Sequence, residues 1–233
     1  GGGAVQPSSM ATTVKVRDNI YMIRSGMSGN VTVLVSDEGV VLIDDKCAMD
    51  HDGIMEHLRE ITDAPLRYVI NTHLHQDHTG GNAQMQALDA DVIASQNARR
   101  IMADTTAEGL PNIVIDEYLR IYLDDMPIDL HYFGRGHTDG DIVVHLPEER
   151  IVVTGDLFAT WEPYVHLIHY AAGGSARDWS RTLERALTLD FDTVKPYGCF
   201  MGSAAVMVLS QHDRARDAAL NVMRFFEHES CGQ

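Results

Sequence analysis

Residues 73–78 read His73-Leu74-His75-Gln76-Asp77-His78, three imidazoles and one carboxylate within six positions. No structural need of a fold calls for such crowding. Charged, these side chains would repel each other; buried without partners, they would be costly. A divalent metal resolves both problems, because neutral imidazole and carboxylate are its N and O ligands. The run Leu66-Arg67-Tyr68-Val69-Ile70-Asn71 reads as a strand that delivers the cluster to a strand end. Thr79-Gly80-Gly81-Asn82 then turns the chain into a helix.

Working outward, residues 13–25 alternate as a strand and hairpin, and 31–35 and 40–44 are β-branched strands joined at Asp37-Glu38-Gly39. Ile54, Leu58 and Ile61 recur at helical spacing within 52–62. Further strands are expected at 68–71 and 91–94, and helices at 82–88 and 96–104. In the second half strands are expected at 128–133, 142–146, 151–154 and 193–195. Helices are expected over 176–189 and within 204–227. The pattern predicts two sheets with helices outside each, an α/β (α+β) chain. No linker divides it, so 13–233 reads as one domain, with residues 1–12 a disordered tag or leader remnant.

Two more candidate ligands stand at strand ends. His137 follows Gly134-Arg135-Gly136, and Asp156 follows Thr154-Gly155. Small neighbours let the backbone bend so that a ligand faces inward. His51, His57, His131, His145, His212 and His228 read as solvated or core histidines.

The composition sets bounds. The chain has 233 residues and a formal net charge of −16, which disfavours nucleic acid and anionic membrane as partners, since both need a basic face. Neither is therefore an expected partner. There is no apolar run of 18 or more residues, the span that would read as a transmembrane helix. A soluble protein is expected, either cytoplasmic or periplasmic or secreted after leader removal. The cysteines, Cys47, Cys199 and Cys231, form neither a CxxC pair nor a disulfide framework.

Taken together, Asp44 in Leu42-Ile43-Asp44, the run 72–82, Gly136-His137-Thr138 and Thr154-Gly155-Asp156 resemble the metallo-β-lactamase superfamily. The pieces follow the family's order over roughly residues 13 to 200. The resemblance implies a four-layer αββα sandwich with a metal site at the sheet edges. It implies that His73, His75 and His137 hold a first metal, that Asp77 and His78 hold a second, and that Asp156 bridges them. Asp44 would order the ligand loop by hydrogen bonds. Asp77 and Asp156 would be the catalytic carboxylates. Zinc, one or two ions per chain, is the expected cofactor, with iron or manganese as alternatives. A hydroxide between the metals would be the nucleophile.

The chain also departs from the family. Where relatives read Pro-Gly-His-Gly, this one has Pro196-Tyr197-Gly198-Cys199, so the second site lacks a histidine. Cys199 is either the replacement ligand, at about 2.3 Å from zinc, or a small packed thiol. Lys46 stands where many relatives have glycine. Trp161, Tyr164, His166, His169 and Tyr197 are pocket candidates, and either His166 or His169 is a candidate for the missing ligand.

The resemblance implies zinc-dependent hydrolysis of a small-molecule substrate: an ester, lactone, thioester, phosphoester or β-lactam. The alternatives are an iron-dependent oxygenase of the same fold, and a non-catalytic or engineered metal-binding variant with an altered second site.

Overall fold

The computed structural model describes residues 11–24, 29–106, 108–158, 168–195 and 207–208. The first sheet has seven strands in chain order: β1 (Thr12–Arg17), β2 (Ile20–Arg24), β3 (Val31–Val35), β4 (Val40–Ile43), β5 (Leu66–Ile70), β6 (Asp91–Ser95) and β7 (Ile113–Ile115). The first four pair antiparallel as a meander, and β4 to β7 run parallel. Parallel neighbours need crossovers. These are α1 (His51–Ile61), then α2 (Gln76–Thr79) with α3 (Asn82–Gln86), then α4 (Gln96–Ala103). The second sheet orders β8 (Tyr118–Leu123), β9 (Met126–His131), β10 (Val143–Leu146), β11 (Ile151–Val153), β12 (Thr193–Lys195) and β13 (Met207–Val208). Helix α5 (Ala176–Ala186) links β11 to β12, which are parallel.

Strand β4 shows how the sequence builds the layers. Its residues alternate faces, as a strand must. Val41 and Ile43 turn inward to a core shared with Leu130, Val144 and Val153 of the second sheet. Val40 and Leu42 turn outward to Ile54 and Leu58 of α1. The second sheet repeats the device, with Val143 and Val152 packing outward on Trp179 and Leu183 of α5. Burying each such side chain contributes about 1.5–3 kcal/mol before chain entropy is subtracted. The layers are therefore helix, sheet, sheet, helix, as expected. No helix among the described residues is long and apolar enough to cross a membrane.

Several boundaries differ from the sequence expectation. Strand β1 begins at Thr12, inside the segment expected to be unstructured. The strand expected at 128–133 spans Met126–His131, because the β8–β9 hairpin pairs Leu123 with Met126 and so starts the ladder earlier. Helix α5 stops at Ala186, three residues short of the expected end. Strands β7 and β8 were not expected. Yet β8, Tyr-Leu-Arg-Ile-Tyr-Leu, alternates strictly, with Leu119 and Ile121 packed on the inner core and Tyr118 and Tyr122 exposed. Within the 204–227 segment expected to hold a helix, the two described residues form strand β13 against β12; the rest lies outside the described residues.

Trp179 is fully buried, and its indole N–H donates to the carbonyl of Leu157 at 2.9 Å. It thus holds the turn next to Asp156. Trp179→Ala is expected to cost about 3–5 kcal/mol, measurable by urea denaturation of the metal-free protein. Trp179→Phe, which loses the hydrogen bond but keeps an aromatic ring, should cost clearly less.

Candidate metal centre

The cluster sits where β5 of one sheet and β11 of the other end. Beyond Ile70 the chain leaves the ladder, and a reciprocal amide pair fixes its path. Asn71 Nδ2 donates to Asn82 Oδ1 at 3.0 Å, and Asn82 Nδ2 donates back to Asn71 Oδ1 at 2.9 Å. His73 lies in that loop, His75 caps α2, and Asp77 and His78 form its first turn. His137 lies in the loop after β9, folded by Asp141, which accepts from the Thr138 N–H at 2.9 Å and from its hydroxyl at 2.5 Å. Asp156 lies in a short 3-10 turn after β11. The preceding Gly155 has φ +52, and a Cβ there would collide with Thr72.

Ring nitrogens from these segments converge. His75 Nδ1 lies 3.0 Å from both His73 Nε2 and His137 Nε2. Asp156 Oδ2 is 3.4 Å from His137 Nε2 and 3.9 Å from His73 Nε2. The other oxygen, Oδ1, stands 3.4 Å from His78 Nε2, which is 3.6 Å from Asp77 Oδ2. Asp156 thus spans two groups, His73 with His75 and His137 on one side, Asp77 with His78 on the other. Asp44, fully buried, accepts at 2.7 Å from the Thr72 N–H, the Thr72 hydroxyl and His78 Nδ1.

The electrostatics follow from burial and crowding. Burial, reinforced by the neighbouring imidazoles, lowers the pKa of His73 well below that of a free histidine and that of His75 to about 4. Both rings are therefore neutral at pH 7, the form in which histidine binds metal. Burial alone would raise Asp156, but His78, His137 and His75 outweigh it and hold the carboxyl at about 2. Burial likewise opposes a charge on His78, yet Asp44 and Asp156 prevail and raise its pKa well above the usual value. The pocket favours positive charge between these carboxylates. Asp156 Oδ1 is also buried without a hydrogen bond of ordinary geometry among the described residues. This donor set fits a bound divalent cation, with one group of ligand atoms, on His73, His75, His137 and Asp156, lying within 4.8 Å of one another.

The structure also places at the site residues to which the sequence assigns no role. Asp141 is fully enclosed behind His137, and burial raises its pKa to about 6; its place in Thr138-Asp139-Gly140-Asp141 was the available signal. Asp45, equally buried, accepts from the Gly81 N–H at 3.0 Å. Lys46 has φ +62, the left-handed conformation that favours glycine, which accounts for glycine there in relatives. Its ammonium donates to the Gly29 carbonyl, and burial lowers its pKa to about 8. His169 stands beside the triad. Its Nδ1 lies 2.7 Å from His75 Nε2, the nitrogen turned away from His73 and His137, and its backbone N–H donates to the His137 carbonyl at 2.9 Å. Cys199, Tyr197, Trp161, Tyr164 and His166 lie outside the described residues.

The model of the metallo-beta-lactamase superfamily matches residues 24–198. The chain belongs to this superfamily. Among curated members it is 27% identical over 194 residues to the 2,4-dinitroanisole O-demethylase subunit alpha of Nocardioides sp. strain JS1661, covering 79% of this chain and 56% of that one. The chain thus spans little more than half of that relative's length. It is 24% identical over 199 residues to the metallo-beta-lactamase type 2 of Bacillus cereus, covering 79% and 72%. Among solved structures, the metallo-beta-lactamase from Pontibacter korlensis shares the fold with a TM-score of 0.76 at 19% identity, covering 91% of this chain and all of that one.

Two outcomes are expected of this superfamily site. His169→Ala should weaken metal binding about 10-fold, the low end for loss of a group that orients a ligand histidine. His169→Asn, which keeps an acceptor, should recover most of it in a competition titration against a chromophoric chelator. In the metal-free protein, His75 should titrate near pH 4 by NMR. Its folded pKa lies below the unfolded value of 6.5, so between these values the folded state binds fewer protons. This residue's contribution therefore destabilises the fold progressively as pH falls from 6.5 to about 4. Comparison of urea midpoints with His75→Asn checks the sign.

Proposed function

We propose that this chain is a zinc-dependent hydrolase of small molecules, acting on an ester, lactone, thioester, phosphoester or β-lactam. The observation that carries the reading is the convergence of three imidazole nitrogens, two of them on rings held neutral by burial, on a carboxylate that also faces a second His–Asp pair. In this reading His73, His75 and His137 hold one ion, and Asp77, His78 and Asp156 contribute to a second. Bound there, zinc would lower the pKa of a water it holds and polarise the substrate's oxygen.

The chain's own residues prepare that chemistry. Asp44 fixes the His78 tautomer by accepting from Nδ1, which turns Nε2 toward Asp77 and Asp156. Asp141 shapes the loop that presents His137. Asp77 is the partly exposed carboxylate of the group, with a side chain 24% exposed. That makes it the candidate to take a proton at Oδ2 and pass it to the leaving group. The net charge of −16 weighs against a polyanionic substrate. The Bacillus cereus relative is named as a β-lactamase and the Nocardioides relative as an O-demethylase subunit, so both lactam and aryl ether substrates belong in a screen.

The test is a panel of a p-nitrophenyl ester, a lactone, a thioester, a phosphodiester, a chromogenic cephalosporin and 2,4-dinitroanisole, assayed with zinc and after chelation. Turnover of at least one substrate should vanish with chelator and return with zinc. His137→Ala should lower kcat/KM by at least about 100-fold, the scale of losing a principal electrostatic group. Turnover indifferent to chelator would overturn the reading. So would iron as the isolated metal together with oxygen consumption.

A further inference from the structure

The outer face of the second sheet carries another set of metal-ligand side chains. Asp129 and His131 are two residues apart on β9 and therefore project from one face. His145 on β10 pairs directly with Asp129 across the ladder. Ligand atoms of these three residues lie within 4.8 Å of one another. The sequence alone presented both histidines as ordinary solvated or core residues. We infer that Asp129, His131 and His145 form an additional site for a borderline divalent transition ion, zinc foremost, separate from the first centre.

Each residue is prepared in the form a metal requires. His145 Nε2 lies 3.0 Å from the Asp190 carbonyl oxygen. A carbonyl only accepts, so Nε2 carries the proton and Nδ1 keeps its lone pair. This is the carbonyl-supported arrangement common to metal-binding histidines. His131 is stacked on Phe133, with the planes 11° apart and the centroids at 5.0 Å, and Tyr118 lies at 5.1 Å on its ring. These contacts fix its rotamer. Its Nε2 is buried and makes no hydrogen bond among the described residues, and burial lowers its pKa, which keeps the ring neutral. Asp129 is held ionised and in place. Its Oδ1 accepts from the Tyr118 hydroxyl at 2.8 Å and Arg120 Nε at 2.5 Å, and its Oδ2 accepts from Arg120 Nη2 at 2.6 Å. A carboxylate oxygen accepts about two hydrogen bonds, so Oδ2 retains one direction.

Two imidazoles and one carboxylate, completed by water, make a donor set suited to zinc. Purely oxygen-seeking ions such as Mg²⁺ or Ca²⁺ have too few oxygens here. Arg120 already neutralises Asp129, so this site is weaker than the first, and Arg120 becomes its control element. Removing the guanidinium should strengthen it, whereas removing an imidazole should weaken it.

The experiment uses the full chain with the first site disabled by His73→Ala and His137→Ala together, and titrates zinc against a chromophoric competitor. One further equivalent should bind at micromolar free zinc. In that background His131→Phe, which preserves the aromatic stack, should raise Kd at least about 10-fold, and Arg120→Gln should lower it. Absence of the equivalent would overturn the inference. So would an equivalent whose Kd is unmoved by His131→Phe, which would mark an adventitious ion only. If the disabled background does not fold, equilibrium dialysis of the parent and of His131→Phe decides the matter. Zinc per chain must fall by one, and an unchanged count rejects the site. His131→Phe should leave turnover at the first centre unaltered, so this result stands or falls apart from the proposed hydrolase activity.

Discussion

The site rests on the buried carboxylate of Asp44. It takes three hydrogen bonds at 2.7 Å, two from Thr72 and one from His78. Its own backbone sits at φ +64, a conformation Asp tolerates better than most residues. Through Thr72 the constraint reaches the second sheet, because the Thr72 carbonyl accepts from the Ile142 N–H at 2.8 Å and the Thr72 side chain fills the space that Gly155 leaves open. Losing the Asp44 carboxylate would therefore disturb a ring nitrogen, a loop and the seam between the sheets together. Such a network is worth more than the sum of its pairs, since each partner left behind would be a buried unsatisfied group.

Much of this was legible in the sequence. The close spacing of His73, His75, Asp77 and His78 pointed to a cluster of ligand-type side chains, and the β-branched runs at 31–35 and 40–44 announced the first sheet, whose fourth strand ends at Ile43. Periodicity found α1 because Ile54 and Leu58 share one face. Legibility ended where partners are distant in the chain. Nothing local to His145 says that Asp129 lies opposite, or that Asp190 offers it a carbonyl. Nothing local to His169 says that it meets His75, 94 positions earlier. Strand β8 was missed for another reason: its outward residues are tyrosines and an arginine, which blur the contrast between apolar and polar faces.

Lys46 shows how a departure from the family can be read physically. Left-handed backbone costs a lysine something that glycine escapes. Its side chain compensates by reaching Gly29, whose absent side chain leaves room for the His78 ring. The lysine thus ties the loop after β4 to the Gly29 backbone beside the His78 ring.

Both sheets are ordered strictly by sequence, each strand lying beside the one before it. During synthesis the first sheet can be laid down strand by strand before β8 exists. Its inner face, with Val41, Ile43, Ile70 and Ile93, then waits uncovered for the second half to arrive. Exposed apolar strands of this kind invite aggregation. The nascent chain also displays His73, His75, Asp77 and His78 before His137 and Asp156 have emerged. A half-made chain therefore carries both an uncovered apolar surface and only part of the candidate metal cluster. Docking of the second sheet covers that surface and completes that cluster in one step of assembly.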